Sequence, residues 1–159
     1  MKTLIIYYSQ ARGNTKRIAE MIHSEVESDI AEIETVKPYE GSYEEIVEQG
    51  QRDVENGTMP AIRPLSKKIA DYDRIILGTP TWWYTMAPAV QTFLDVYDLS
   101  GKEVVIFQTH GGWAGHTLKD MKELISGNVR SEYAVQFDST GGDVLVTDIA
   151  DIEKWIREL

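Results

Sequence analysis

The chain has 159 residues, 42% hydrophobic and 26% charged, the balance of one globular domain large enough to bury a substantial core. Sixteen basic against 26 acidic residues give a formal net charge of −10, which argues against nucleic acid or an anionic membrane as partner, because both need a basic face. No cysteine is present, so disulfides, thiolate metal ligands and cysteine nucleophiles are excluded.

No apolar run approaches the roughly 20 residues needed to span a bilayer, and the apolar stretch at the start is too short for a signal peptide. The expectation is a single cytoplasmic domain over residues 1–159. Leu4 to Tyr8 reads as a buried strand. A small polar loop follows: Ser9, Gln10, Ala11, Arg12, Gly13, Asn14 and Thr15. From there Ile18, Met21, Ile22 and Val26 fall on one helical face. Strand, polar loop and helix leave backbone N–H groups at a helix N-terminus, a ready anion site, so this stretch predicts a phosphate cradle. Asn14 or Thr15 is equally an ordinary helix cap, and this stretch alone leaves both readings open.

Ala31 to Val36 predicts a second strand nearer an edge, and Tyr43 to Asn56 a polar helix closed by Asn56-Gly57. Arg74 to Leu77 predicts a third strand, ending in a Gly78-Thr79-Pro80 turn. Thr81, Trp82, Trp83 and Tyr84 then lead into a helix with Pro88 in its first turn. Val104 to Phe107 is a fourth strand, running into Thr109, His110, Gly111, Gly112 and Trp113. A helix through Leu118, Met121 and Ile125, a fifth strand at Tyr133 to Phe137, and a helix through Ile149, Ile152 and Ile156 complete the chain.

Strands alternating with helices predict an α/β fold, a parallel sheet covered on both faces. In such folds ligands sit outside the carboxyl ends of the strands at the switch point. The first, third and fourth strands each empty into a loop bearing glycine, tryptophan or hydroxyl groups. The first loop suits one phosphate, and the aromatic side chains of the other two suit a flat conjugated ligand. A planar heterocycle with one phosphate is flavin mononucleotide, FMN. Trp82 and Trp113 are the expected ring-stacking pair, with Trp83 and Tyr84 as reserves. One of Trp82 and Trp83 is alternatively a packing anchor, and His110 is a candidate hydrogen-bond donor to the ring. The three histidines show no metal-ligand spacing, and no catalytic triad or carboxylate pair is visible.

Taken together, Tyr7-Tyr8-Ser9 with Gly13-Asn14-Thr15, Gly78-Thr79-Pro80-Thr81-Trp82-Trp83, and Thr109-His110-Gly111-Gly112 resemble the flavodoxins, especially the short-chain type. The resemblance covers nearly the full length. It implies a flavodoxin-like three-layer sandwich with a five-stranded parallel sheet of order 2-1-3-4-5, non-covalent FMN, and one-electron transfer between protein redox partners. The phosphate loop departs from the family's pattern: Ser9 and Gly13 are separated by one residue more than usual, and Arg12 stands where a hydroxyl is expected. Two further readings share the fold: an FMN-dependent NAD(P)H or quinone reductase, and a non-redox flavin-binding module. The acidic surface predicts partners with a basic docking face, and a low potential, because an electron added to a desolvated ring meets like charge.

Overall fold

A computed structural model of the chain describes residues 1–10 and 12–159; the predicted ligand residue Ala11 lies outside the described residues. The elements in order are β1 (Thr3–Tyr7), α1 (Asn14–Glu25), β2 (Asp29–Glu32), α2 (Tyr43–Asn56), β3 (Arg74–Trp82), β4 (Thr85–Met86), α3 (Pro88–Val96), β5 (Glu103–His110), α4 (Thr117–Leu124), β6 (Asn128–Gln136) and α5 (Ile149–Arg157). A single 3-10 turn at Ile69–Asp71 precedes β3.

Five strands form a parallel sheet in the order β2-β1-β3-β5-β6, and β4 is a two-residue antiparallel partner of β3. Counted without β4, this is the expected 2-1-3-4-5 order. Alternation along the strands divides the core. Leu4, Ile6, Ile75, Leu77, Val104 and Ile106 face one way and pack with Val90, Phe93 and Leu94 of α3 and Met121 of α4. Ile5, Ile76, Val105 and Phe107 face the other way, against Ile18 and Ile22 of α1 and Ile152, Trp155 and Ile156 of α5. Strands buried on both faces need apolar residues at every position, which is why their sequences read as continuous runs.

Three boundaries differ from the sequence reading. β2 ends at Glu32 rather than Val36. After Ile33 donates to the Tyr7 carbonyl the chain leaves the sheet, and Thr35 and Val36 pair instead with Ile62 and Ala61. β3 does not turn at Gly78-Thr79-Pro80 but runs straight through to Trp82. Its pairing with β1 stops at Gly78, while its pairing with β5 continues to Pro80 opposite Thr109. Proline is tolerated there because the strand has a neighbour on one side only. β6 begins at Asn128, since its outer half alternates with solvent and carries little apolar signal. Tyr43–Asn56 matches the expected helix, opened by a Ser42/Glu45 capping box and closed by Gly57 in the left-handed conformation.

The C-terminal ends of β1, β3 and β5 lie side by side, so their three following loops form one rim. Among the described residues no helix is long and apolar enough to cross a membrane.

Gly78 is required by packing: a β-carbon there would lie 2.1 Å from Cζ of the buried Phe107 ring on the neighbouring strand. Gly78→Ala is expected to destabilise the protein by about 1–3 kcal/mol through overpacking, and Phe107→Leu in the same chain to recover part of that loss. Urea denaturation of the single and double variants checks this.

Candidate functional site

At the first loop Gly13 takes the left-handed conformation, φ 72°, and caps α1 without a side-chain hydrogen bond. Ser9 Oγ accepts from the Lys16 N–H at 3.3 Å. The Asn14 and Thr15 N–H groups at the helix start have no intrahelical partner. Neither Asn14 nor Thr15, each read from the sequence as a phosphate donor or alternatively a cap, caps the helix. Thr15 Oγ1 shares a 2.8 Å hydrogen bond with Thr109 Oγ1 at the end of β5. Asn14 Nδ2 donates to the Gly142 carbonyl at 2.9 Å, while its Oδ1 is buried with no partner. Neither hydroxyl nor amide is spent on capping, so the helix start remains open to an anion.

The second loop is a tight hairpin. Trp83 and Tyr84, at φ 49° and 69°, are the non-glycine residues with positive φ among those described. Such conformations cost about 1–2 kcal/mol each and persist only where the surroundings impose them. Here the His116 N–H donates to the Tyr84 carbonyl at 2.8 Å. Gly115 packs so closely that a β-carbon would lie 2.2 Å from that oxygen. Thr85 Oγ1 donates to Asp120 at 2.6 Å, and Asp120 also bonds His116. The hairpin is therefore fastened to the start of α4, with the Trp83 and Tyr84 side chains exposed at the rim.

Trp82 points inward, making edge contacts with Tyr8 and Tyr39 at 5.8 and 5.0 Å between ring centroids. The wholly buried Thr79 accepts from the Ala87 N–H at 3.1 Å and donates to the Pro80 carbonyl. It braces the hairpin from beneath. The Thr81 hydroxyl is buried without a partner. In the third loop, His110 Nδ1 accepts from the Gly112 N–H at 3.0 Å, and burial lowers the imidazole's proton affinity.

These loops enclose a cleft of about 280 Å³ whose lining includes Gln10, Arg12, Asn14 and Thr15, Pro80 to Trp83, and Thr109 to Gly111. An adjoining recess of about 340 Å³ shares Tyr43, Thr81, Trp83 and Gly111 with it and extends to Tyr84 and Trp113. Trp113 is 60% exposed and borders the recess only. The predicted residues Ser9, Gly13, Thr79 and Gly112 are not among the residues lining either cavity.

Two wall segments escaped the sequence reading: Tyr43, Ile46, Val47 and Gly50 of α2, and Phe137, Asp138, Gly141 and Gly142 after β6. The second had a readable signal, since Asp138-Ser139-Thr140-Gly141-Gly142 is a dense turn sequence. Its organiser is Asp138, whose carboxylate accepts from the N–H groups of Thr140, Gly142 and Val144 and from the Thr140 hydroxyl. Those bonds, the Thr140 hydroxyl foremost, lower its pKa to about 2. The Tyr43 wall carried no such signal; only tertiary packing brings α2 over the cleft, where Arg12 lies 5.9 Å from the Tyr43 ring centre. Among the described residues no group of three or more His, Asp or Glu side chains could hold a metal ion.

Fold and site together define a doubly wound α/β protein with an open helix N-terminus at one end of its cleft and aromatic side chains at the other. The chain belongs to the flavodoxin family, whose profile matches residues 2–152. It is similar to a flavoprotein from Lactobacillus acidophilus solved in complex with FMN, at 26% identity over 97% of each chain and a TM-score of 0.72. A provisionally named flavoprotein from Bacteroides eggerthii is 25% identical, with 99% of this chain and 96% of that one covered and a TM-score of 0.75. A third, from Bacteroides uniformis, shares the fold at 24% identity and a TM-score of 0.77, covering 98% of this chain and 97% of that one.

Tyr84→Gly is expected to raise apoprotein stability by about 1 kcal/mol, because it relieves left-handed strain and gives up little packing. Thermal denaturation with calorimetry tests this. The depressed Asp138 pKa gives stability that is present above the ordinary carboxylate range and is lost as pH falls through about 2. Asp138→Asn should therefore flatten the acid limb of the stability–pH curve and increase proteolytic cutting within 138–144.

Proposed function

We propose that this chain binds FMN in the cleft and carries electrons one at a time, at low potential, between protein partners. The carrying observation is the polarity of the cleft: open N–H groups of α1 at one end, aromatic walls at the other, and two buried unpartnered polar atoms, Asn14 Oδ1 and Thr81 Oγ1, along it. The residues fit the cofactor. The N–H groups of Asn14 and Thr15 would hold a phosphate, Asn14 Oδ1 would accept from a sugar-chain hydroxyl, and Trp83 with the His110–Gly111 backbone would border the ring. The Lactobacillus acidophilus relative crystallised with FMN supports the same reading. Bound FMN supplies reversible one- and two-electron chemistry. The protein's part is to seat the phosphate without a fixed cation cluster, exclude water from one ring face, and leave an edge at the rim.

The net charge of −10 supports a low potential and partners with a basic docking face. A second reading, an FMN-dependent NAD(P)H or quinone reductase, is favoured by the aromatic recess beside the cleft, which has room for a flat molecule. Anaerobic reductive titration separates the two. Two well-separated one-electron steps support the carrier; a single two-electron step, with rapid NAD(P)H oxidation when a quinone is added, supports the reductase.

Asn14→Ala is expected to weaken FMN by about 1–3 kcal/mol, measured by fluorescence quenching with apoprotein stability as control. FAD should bind poorly to the parent, since the cradle suits a terminal phosphate. Trp82 and Trp113 should behave oppositely. Trp82→Ala should cost about 3 kcal/mol of apoprotein stability through loss of the Tyr8–Trp82–Tyr39 contacts. Trp113→Ala should leave stability unchanged and weaken FMN by about 1–3 kcal/mol if the ring reaches the recess. An unchanged affinity removes Trp113 from the ring site.

A further inference from the structure

His110 closes β5 and lines the cleft directly beside Gly111. Two hydrogen bonds fix its position. Its carbonyl accepts from the Phe137 N–H at 2.8 Å, and its Nδ1 accepts from the Gly112 N–H at 3.0 Å. An N–H can donate only to an unprotonated nitrogen, so the neutral ring must carry its proton on Nε2. Protonating Nδ1 would set one N–H against another and break the bond that shapes the Gly111-Gly112 turn. Burial acts in the same direction by disfavouring the imidazolium. The charged side chains lining the same cleft are Arg12 and Asp138, and the Asp138 oxygens are already committed to their own loop. His110 is thus presented as an uncharged donor of fixed tautomer.

Resting on the FMN reading above, we propose that His110 is the specificity-determining residue for the ring, donating Nε2–H to a carbonyl oxygen or ring nitrogen on its polar edge. Because the donor is neutral, it recognises the edge without adding a positive charge beside it. A site with an imidazolium here would favour added electrons; this one does not. The same geometry makes Gly112 a positioning residue, acting through the tautomer of His110.

Long-range proton–nitrogen NMR of the apoprotein reads the tautomer directly. The expected result is an unprotonated Nδ1 and a protonated Nε2 at pH 8, with the Nε2–H resonance shifting when riboflavin or FMN is added. His110→Phe should weaken riboflavin and FMN alike by about tenfold, since the bond is to the ring and not to phosphate. His110→Gln, which keeps an amide donor, should stay within about threefold of the parent. A proton on Nδ1, an unaffected His110→Phe variant, or a loss confined to FMN would each overturn the assignment. Failure of the parent to bind either flavin would overturn the FMN reading itself. Flavin binding by the parent with an indifferent His110→Phe variant would overturn only the role of His110.

Discussion

A single hydroxyl–hydroxyl bond, Thr15 to Thr109 at 2.8 Å, joins residues 94 positions apart and fixes the first loop of the cleft to the third. Both side chains are almost fully buried, where an unmade hydrogen bond costs more than a made one gains. The bond therefore sets the distance between the start of α1 and the end of β5. Everything that lines the cleft is referred to that distance. The cap position of α1 is Gly13, which has no side chain, and Ser9 Oγ accepts only the Lys16 N–H, so the Asn14 and Thr15 N–H groups stay available to a ligand.

The second constraint is the hairpin between β3 and β4. Two bulky residues at positive φ are an unfavourable local choice, and glycine would occupy that turn at lower cost. The structure tolerates them because the start of α4 grips the turn through the Tyr84 carbonyl, Gly115 and the Thr85–Asp120–His116 chain. What the strain achieves is placement. Trp83 and Tyr84 stand at the rim, and Trp82 is turned inward onto Tyr8 and Tyr39. Three consecutive aromatic residues thus serve two purposes, and the backbone at Trp83 is where the purpose changes.

Electrostatically the cleft is nearly neutral within a strongly acidic protein. Asp138 is saturated by its own loop, and His110 is held in its uncharged form by Gly112. Among the described residues Arg12 is the single cation in the lining, and it lies over the Tyr43 ring. On the proposed reading, a ring seated there would gain hydrogen bonds and stacking, and electrons added to it would meet little positive charge.

The buried parallel strands, the helix from Tyr43 to Asn56 and the three-loop rim were legible in the sequence. Each rests on a local pattern: a continuous apolar run, a helix-stop signal at Asn56-Gly57, or polar and aromatic residues after a strand. Among the described residues, the places of Gln10, Arg12, Asn14, Thr15 and Thr109 to Gly111 along the cleft followed from the same reading. The tertiary structure alone decided the rest. Gly78-Thr79-Pro80 reads locally as a turn but is strand, because β5 remains paired beyond the end of β1. Whether Thr15 caps a helix or bonds Thr109, and which tryptophan packs inward, depend on partners dozens of residues away. So does the wall contributed by Tyr43 and Val47, which no periodicity in α2 could assign to a ligand. Local pattern determines what an element is; long-range packing determines which of its side chains remain free to bind.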